Sequence, residues 1–201
     1  MKLARGPFLI LLTVALAVPA EAADPVQEAR VLGRWRDPAV LGPLLTEACD
    51  AVEAVVGATF EQRPTIQPSS QGEIERILHQ GEAGERGMLE TTPDSSRAFF
   101  AYFEPLSRTI HLVPEALVAV ARAAGDPELL SDEVLRTVLV HEATHALDFE
   151  RFPVRWVLAC CSASDERLAI EAVLEGHAQL VAEEVARSRE TEDAFERLTG
   201  L

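Results

Sequence analysis

Residues 141–145 read His141-Glu142-Ala143-Thr144-His145, two imidazoles four positions apart with a carboxylate beside the first. On an α-helix such positions are separated by about 40° around the axis and by one turn along it, so both rings can reach one cation. Imidazole nitrogen suits a divalent transition metal, and a catalytic zinc site holds three protein ligands and keeps a fourth position for water. Glu142 would then lie alongside as a base for that water. The chain has five histidines, and random placement would produce a run of this form roughly 0.015 times, so coincidence explains it poorly.

Two histidines leave such a site one ligand short. Glu171 and Glu175, one helical turn apart, are the candidates for the third. His177 lies two residues past Glu175 and about 200° round the helix from it. The two cannot face one ion, and His177 is read as a hydrogen-bonding or packed residue. Asp148, three positions after His145 and seven after His141, shares their face; it would either accept a hydrogen bond from a ligand's outer ring nitrogen or be an ordinary acid in an exposed last turn. His79 and His111 have no partner visible in the sequence and are read as surface or packed histidines.

The His-Glu-x-x-His run resembles the zincin motif. The segment Leu174-Glu175-Gly176-His177-Ala178 is similar to the glutamate-glycine-x-alanine signature that supplies the third zinc ligand in the aminopeptidase branch of the gluzincins, and some gluzincins carry a run like His145-Ala146-Leu147-Asp148. The resemblance implies a zincin-like α+β fold and a zinc-dependent peptidase. Its ligands would be His141, His145 and Glu175, and Glu142 its general base. Gly176 fits this choice, because a residue without a side chain lets two helices approach closely. Twenty-nine residues separate His145 from Glu175, more than in the thermolysin-like and aminopeptidase-like families; the connection from Pro153 to Ser164 can house the excess. Zincins lay extended substrate along an edge strand, which places the cleft along residues 99–113. Tyr102, the only tyrosine, is the candidate second donor to the carbonyl oxygen, with Arg97 and Arg108 as alternatives. A non-catalytic zinc-binding protein of the same fold is the competing reading. Peptide deformylases share the motif but add a cysteine ligand from an upstream strand signature that is absent here.

The elements that must position these residues are also legible. Val134, Leu135, Val138 and Leu139 give helical periodicity ahead of His141. Ser131, followed by Asp132 and Glu133, marks the start of that helix, which should run to about Phe152 before Pro153. Ser162 or Ser164 should cap a last long helix reaching about Ser188. Upstream, a helix is expected from Asp37 to Val56, a short strand at Thr65–Gln67 and a short helix from Glu73 to Gln80. A glycine- and acid-rich loop from Gly81 to Asp94 should follow, then two antiparallel strands, 98–103 and 109–113, joined by Glu104-Pro105-Leu106-Ser107-Arg108. Pro114 suits the first turn of a helix ending near Ala124, before Gly125-Asp126-Pro127.

With 48% hydrophobic and 25% charged residues in 201, the composition is that of one packed domain. A net charge of −15 repels polyanions and argues against a nucleic-acid partner; the zincin resemblance implies a peptide or protein substrate. At the start, Lys2 and Arg5 precede an apolar run from Phe8 to Val18, and Ala20-Glu21-Ala22 is a small-x-small cleavage site. Eleven residues span only about half of a ~30 Å hydrocarbon core, so residues 1–22 read as a signal peptide and 23–201 as a single exported domain, secreted or periplasmic and not membrane-bound once cleaved. Export permits disulfides, and pairing among Cys49, Cys160 and Cys161 is left open. Mass spectrometry of the exported protein should find its amino terminus at Ala23; an intact Met1 would reject this reading.

Overall fold

The computed structural model describes residues 25–84 and 100–200, with the side chains of 78–84 excepted. The expected signal peptide, Arg97 and the start of the first expected hairpin strand lie outside the described residues, as does the side chain of His79. Helices α1 (Pro25–Arg34) and α2 (Pro38–Val56) lead to strand β1 (Thr65–Pro68) and helix α3 (Gln71–Gly84). A hairpin of β2 (Ala101–Glu104) and β3 (Thr109–Leu112) precedes α4 (Pro114–Ala124) and a 3-10 turn at Pro127–Leu130. Then come α5 (Asp132–Arg151), α6 (Val154–Cys160), α7 (Ser164–Ser188) and α8 (Glu192–Thr199). The chain is thus α+β, mostly helical with one small mixed sheet. Among the described residues no helix is long and apolar enough to cross a membrane.

Helix α5 is the axis around which the rest is built. Ser131 caps it, its Oγ accepting from the Val134 amide at 3.3 Å, and Asp132 and Glu133 occupy the first turn where acids complement the helix dipole. Of residues 134–148 only Arg136 and His145 are not fully buried. A helix enclosed on every side needs neighbours on every side, and α5 has them in α2, α7, α8 and β2. Its two buried threonines satisfy their hydroxyls on their own helix, Thr137 on the Glu133 carbonyl at 3.1 Å and Thr144 on that of Val140 at 2.8 Å.

The sheet has the order β1-β3-β2, with β1 parallel and β2 antiparallel to β3. Side chains alternate across it: Phe103, Ile110 and Leu112 belong to the apolar core and Ile66 packs against it, while Tyr102, Gln67 and His111 stand in register with one another. Among the described residues strand β2 is an edge. The Val113 amide donates to the Phe100 carbonyl at 2.8 Å, so by antiparallel alternation the backbone groups of Ala101 and Phe103 point away from β3. The expected hairpin and its strand directions are therefore present.

Several expectations need adjustment. Helix α3 runs on to Gly84, through the start of the expected glycine-rich loop. The Pro153–Ser164 connection is not a plain loop but holds α6, and the short helices α1 and α8 lack a long enough apolar period to be read beforehand. Neither Ser162 nor Ser164 caps α7. Ala163 stands at the cap, and Glu166 reaches back to accept the Ser162 and Ala163 amides at 3.0 and 3.3 Å, which holds its carboxyl below the usual range. All three cysteines are free thiols. Cys49 is enclosed in the core, where burial pushes its thiol up to about 12, so it serves as a small apolar residue.

Arg108 does not face the cleft. It sits at φ 56°, a left-handed conformation that costs a non-glycine residue about 1–2 kcal/mol, and its guanidinium donates to Glu150 at 2.6 Å and to the Gln62 carbonyl. Glu150, near the end of α5, also accepts the Glu61 and Gln62 amides at 2.7 and 3.1 Å. One carboxylate thus ties the hairpin and the entry to β1 onto the central helix. Replacing Glu150 by alanine leaves a partly buried arginine without its carboxylate and gives two exposed amides back to water, and is expected to cost roughly 3 kcal/mol. Thermal unfolding of the variant should fall by roughly 6–12 °C.

Candidate metal centre

Helix α7 crosses α5 at the histidines. His141 Nε2 lies 3.2 Å from Glu175 Oε2, His145 Nε2 lies 3.3 Å from Glu175 Oε1, and the two Nε2 atoms are 3.1 Å apart. The rings stand edge to face, inclined by 85°, so both point a nitrogen at one place. The one-turn spacing on α5 sets the first two donors, and the helix crossing brings the third; Gly176 is exposed and has nothing within 4 Å of where a Cβ would stand, so the crossing does not need a glycine there. Around a tetrahedral ion with bonds of ~2.0–2.1 Å, neighbouring donors are ~3.3–3.4 Å apart; the two histidines meet different oxygens of Glu175, so the carboxylate would turn to share one oxygen or use both. His141, His145 and Glu175 could hold a metal ion.

Electrostatics bind the same three groups. Burial opposes charge on both His145 and Glu175, yet the net effect on each is the reverse. The carboxylate of Glu175, with Glu142 and Asp148 nearby, raises the His145 imidazole. Hydrogen bonds from both imidazoles hold Glu175 far below the usual carboxylate range. Without a metal the imidazoles supply the positive charge that faces the Glu175 carboxylate, and a cation would take that place by displacing their protons.

Glu142 is buried beside His141, and its Oε2 accepts the Phe103 amide at 2.8 Å. That amide is one of the outward-facing groups of edge strand β2, so the helix and the strand meet through this bond. Burial pushes the Glu142 carboxyl up; the two imidazoles and the Phe103 amide work against this, and Glu175 reinforces it. A carboxylate raised in this way is a better proton acceptor near neutrality than a solvated one. No pattern of side-chain types could have announced a backbone amide as its partner.

Glu171 is half-buried and makes no hydrogen bond or ion pair with the histidines. Burial raises its carboxyl, Arg167 lowers it and Glu175 raises it further. It stands one turn from the triangle and outside it. Asp148 is buried, but it does not meet a ring nitrogen of His141 or His145. Both its oxygens face His177 Nδ1, at 2.8 and 3.0 Å, while His141 Nδ1 is buried with no partner among the described residues. The expected link from Asp148 to a ligand ring is thus replaced by a link to the other helix, and the exposed-acid reading fails as well.

The remaining candidates fall elsewhere. Tyr102 is hydrogen-bonded to none of the four site residues, and burial, with Glu104 and Glu142 nearby, pushes its phenol up to about 12. His111 is a packed histidine. Its Nδ1 meets Ser69 Oγ at 2.9 Å and Gln67 Nε2 at 3.2 Å, and its Nε2 lies 3.3 Å from Glu104.

Zinc titration should separate the two glutamates. Glu175→Ala removes a donor from the triangle and is expected to abolish stable metal binding. Glu171→Ala should change affinity by less than the ~10-fold that marks the weakest of the outer partners of a ligand.

No family model matches this chain, and neither a curated protein nor a solved structure is found to be similar to it.

Proposed function

We propose that this protein is an exported, zinc-dependent peptidase of zincin-like fold, with zinc held by His141, His145 and Glu175. The observation that carries the proposal is the coincidence of the donor triangle with a buried carboxylate, Glu142, one residue along the same helix. A structural metal has no use for a general base. Two nitrogens and a carboxylate oxygen are a donor set that suits zinc, and bound zinc would acidify water and polarise a substrate carbonyl.

The chain's own groups supply the rest. Glu142 takes a proton from the attacking water and returns it to the leaving amine. The Phe103 amide holds Oε2, which leaves Oε1 to face the reactants. The outward Ala101 amide and carbonyl and the Phe103 carbonyl of β2 offer a substrate peptide a strand to extend, beside the base. Tyr102 lies one residue away on that strand, and its phenol, protonated at neutral pH, remains the candidate second donor to the carbonyl oxygen. Peptide or protein substrates follow from the edge strand; the surplus of acids disfavours nucleic acid.

Glu142→Gln keeps the shape of the site and removes the base. Peptide hydrolysis should fall by ~10²-fold or more while zinc content measured by elemental analysis stays at the wild-type level. Full activity in this variant would refute the mechanism. A zinc-loaded wild type that cleaves nothing in a broad peptide-library digest would instead indicate a non-catalytic zinc-binding protein.

A further inference from the structure

The carboxylate that completes the triangle rides on a half-helix with little else to hold it. Helix α7 has buried residues only from Ala178 onward; none of residues 164–177 is buried. At its start α7 is tied back by the Glu166 cap and by a long bond, 3.3 Å, from Arg167 to the Leu158 carbonyl. Leu168 and Val173 are exposed. Hydrophobic burial therefore fixes the carboxyl-terminal half of α7 and not the half that carries Glu175.

Position matters acutely for such a ligand. A carboxylate ~6 Å from the helix axis moves roughly 2 Å when the helix turns by 20°, enough to break any metal bond. Contacts made by Glu175 alone sit on one flank of α7 and let it roll. His177 leaves α7 about 200° away from Glu175, on the opposite flank, and reaches Asp148, three residues after His145 on α5. Asp148 is 3% exposed, and as a carboxylate it only accepts, so His177 Nδ1 must carry the proton and donate to it. A buried carboxylate with one partner pulls strongly on that partner.

We propose that His177 and Asp148 form a metal-independent clasp that stops α7 from rolling on α5 and so places Glu175 before any metal arrives. The two flanks of α7 then meet α5 through separate contacts one turn apart. His177 is a positioning residue in this scheme and no ligand. The clasp rests on the metal-site reading for its purpose, but its mechanical action is measurable without metal.

The test compares His177→Ala with His177→Asn, whose side-chain amide can put an N–H where Nδ1 stands. In the metal-free protein, amide hydrogen exchange over residues 171–177 should accelerate at least ~10-fold in the alanine variant and stay near wild type in the asparagine variant. Zinc affinity should fall ~10–100-fold with alanine and recover to within about threefold with asparagine. The visible spectrum of the cobalt-substituted protein should follow the same order. Unchanged exchange in a folded His177→Ala variant would overturn the clasp. So would equal losses in both variants, which would point to the imidazole itself. Should the alanine variant fail to fold, the asparagine variant decides alone: wild-type exchange supports the donor role, and fast exchange rejects it. If wild-type protein takes up no zinc, the metal reading falls, while the exchange data still judge the clasp.

Discussion

A central helix that is both fully enclosed and partly polar imposes a demand that organises this structure. Burying an ionisable group without partners costs several kcal/mol, and α5 buries His141, Glu142 and Asp148 together. Each has to be answered from another element. Glu175 of α7 answers the two histidines, the Phe103 amide of β2 answers Glu142, and His177 of α7 answers Asp148. The polar residues of one helix thereby dictate where an edge strand and a second long helix must lie.

This demand also explains why so small a sheet suffices. Its apolar face joins the common core through Phe103, Ile110 and Leu112, with the Phe103 ring set edge-on to Phe149 of α5 at 5.9 Å. Its edge is not left open along its whole length, because Glu142 occupies the Phe103 amide. An unpaired edge strand is ordinarily a hazard for aggregation. Here part of it is tied to the buried Glu142 carboxylate, and Glu150 fastens the hairpin and the entry to β1 at the far end of the same helix.

Stability and readiness are distributed unequally along α7. The half from Ala178 to Ala186 is anchored by apolar burial, whereas the half bearing Glu171 and Glu175 has no fully buried residue. Parts of a protein with few buried contacts open most readily, so the half of α7 that carries Glu175 depends on its polar contacts with α5.

Much of this was legible in the residues alone. Periodicity and capping gave α2, α4, α5 and the extent of α7, because those signals are local and strong: Ser131 before two acids, Gly125 after an apolar run, Pro114 at a first turn. The i, i+4 spacing of His141 and His145 determined that their rings could converge, since helix geometry leaves no alternative. Tertiary structure decided everything that depends on how one helix is rotated against another. Glu171 and Glu175 lie 40° apart and are equivalent to a reader of spacing; only the crossing of α7 over α5 brings one to the triangle and leaves the other outside. Asp148 shares a face with the histidines in sequence, yet its partner came from 29 residues away. The Phe103 amide, being backbone, carries no sequence signal at all, and its role follows solely from β2 ending the sheet beside α5.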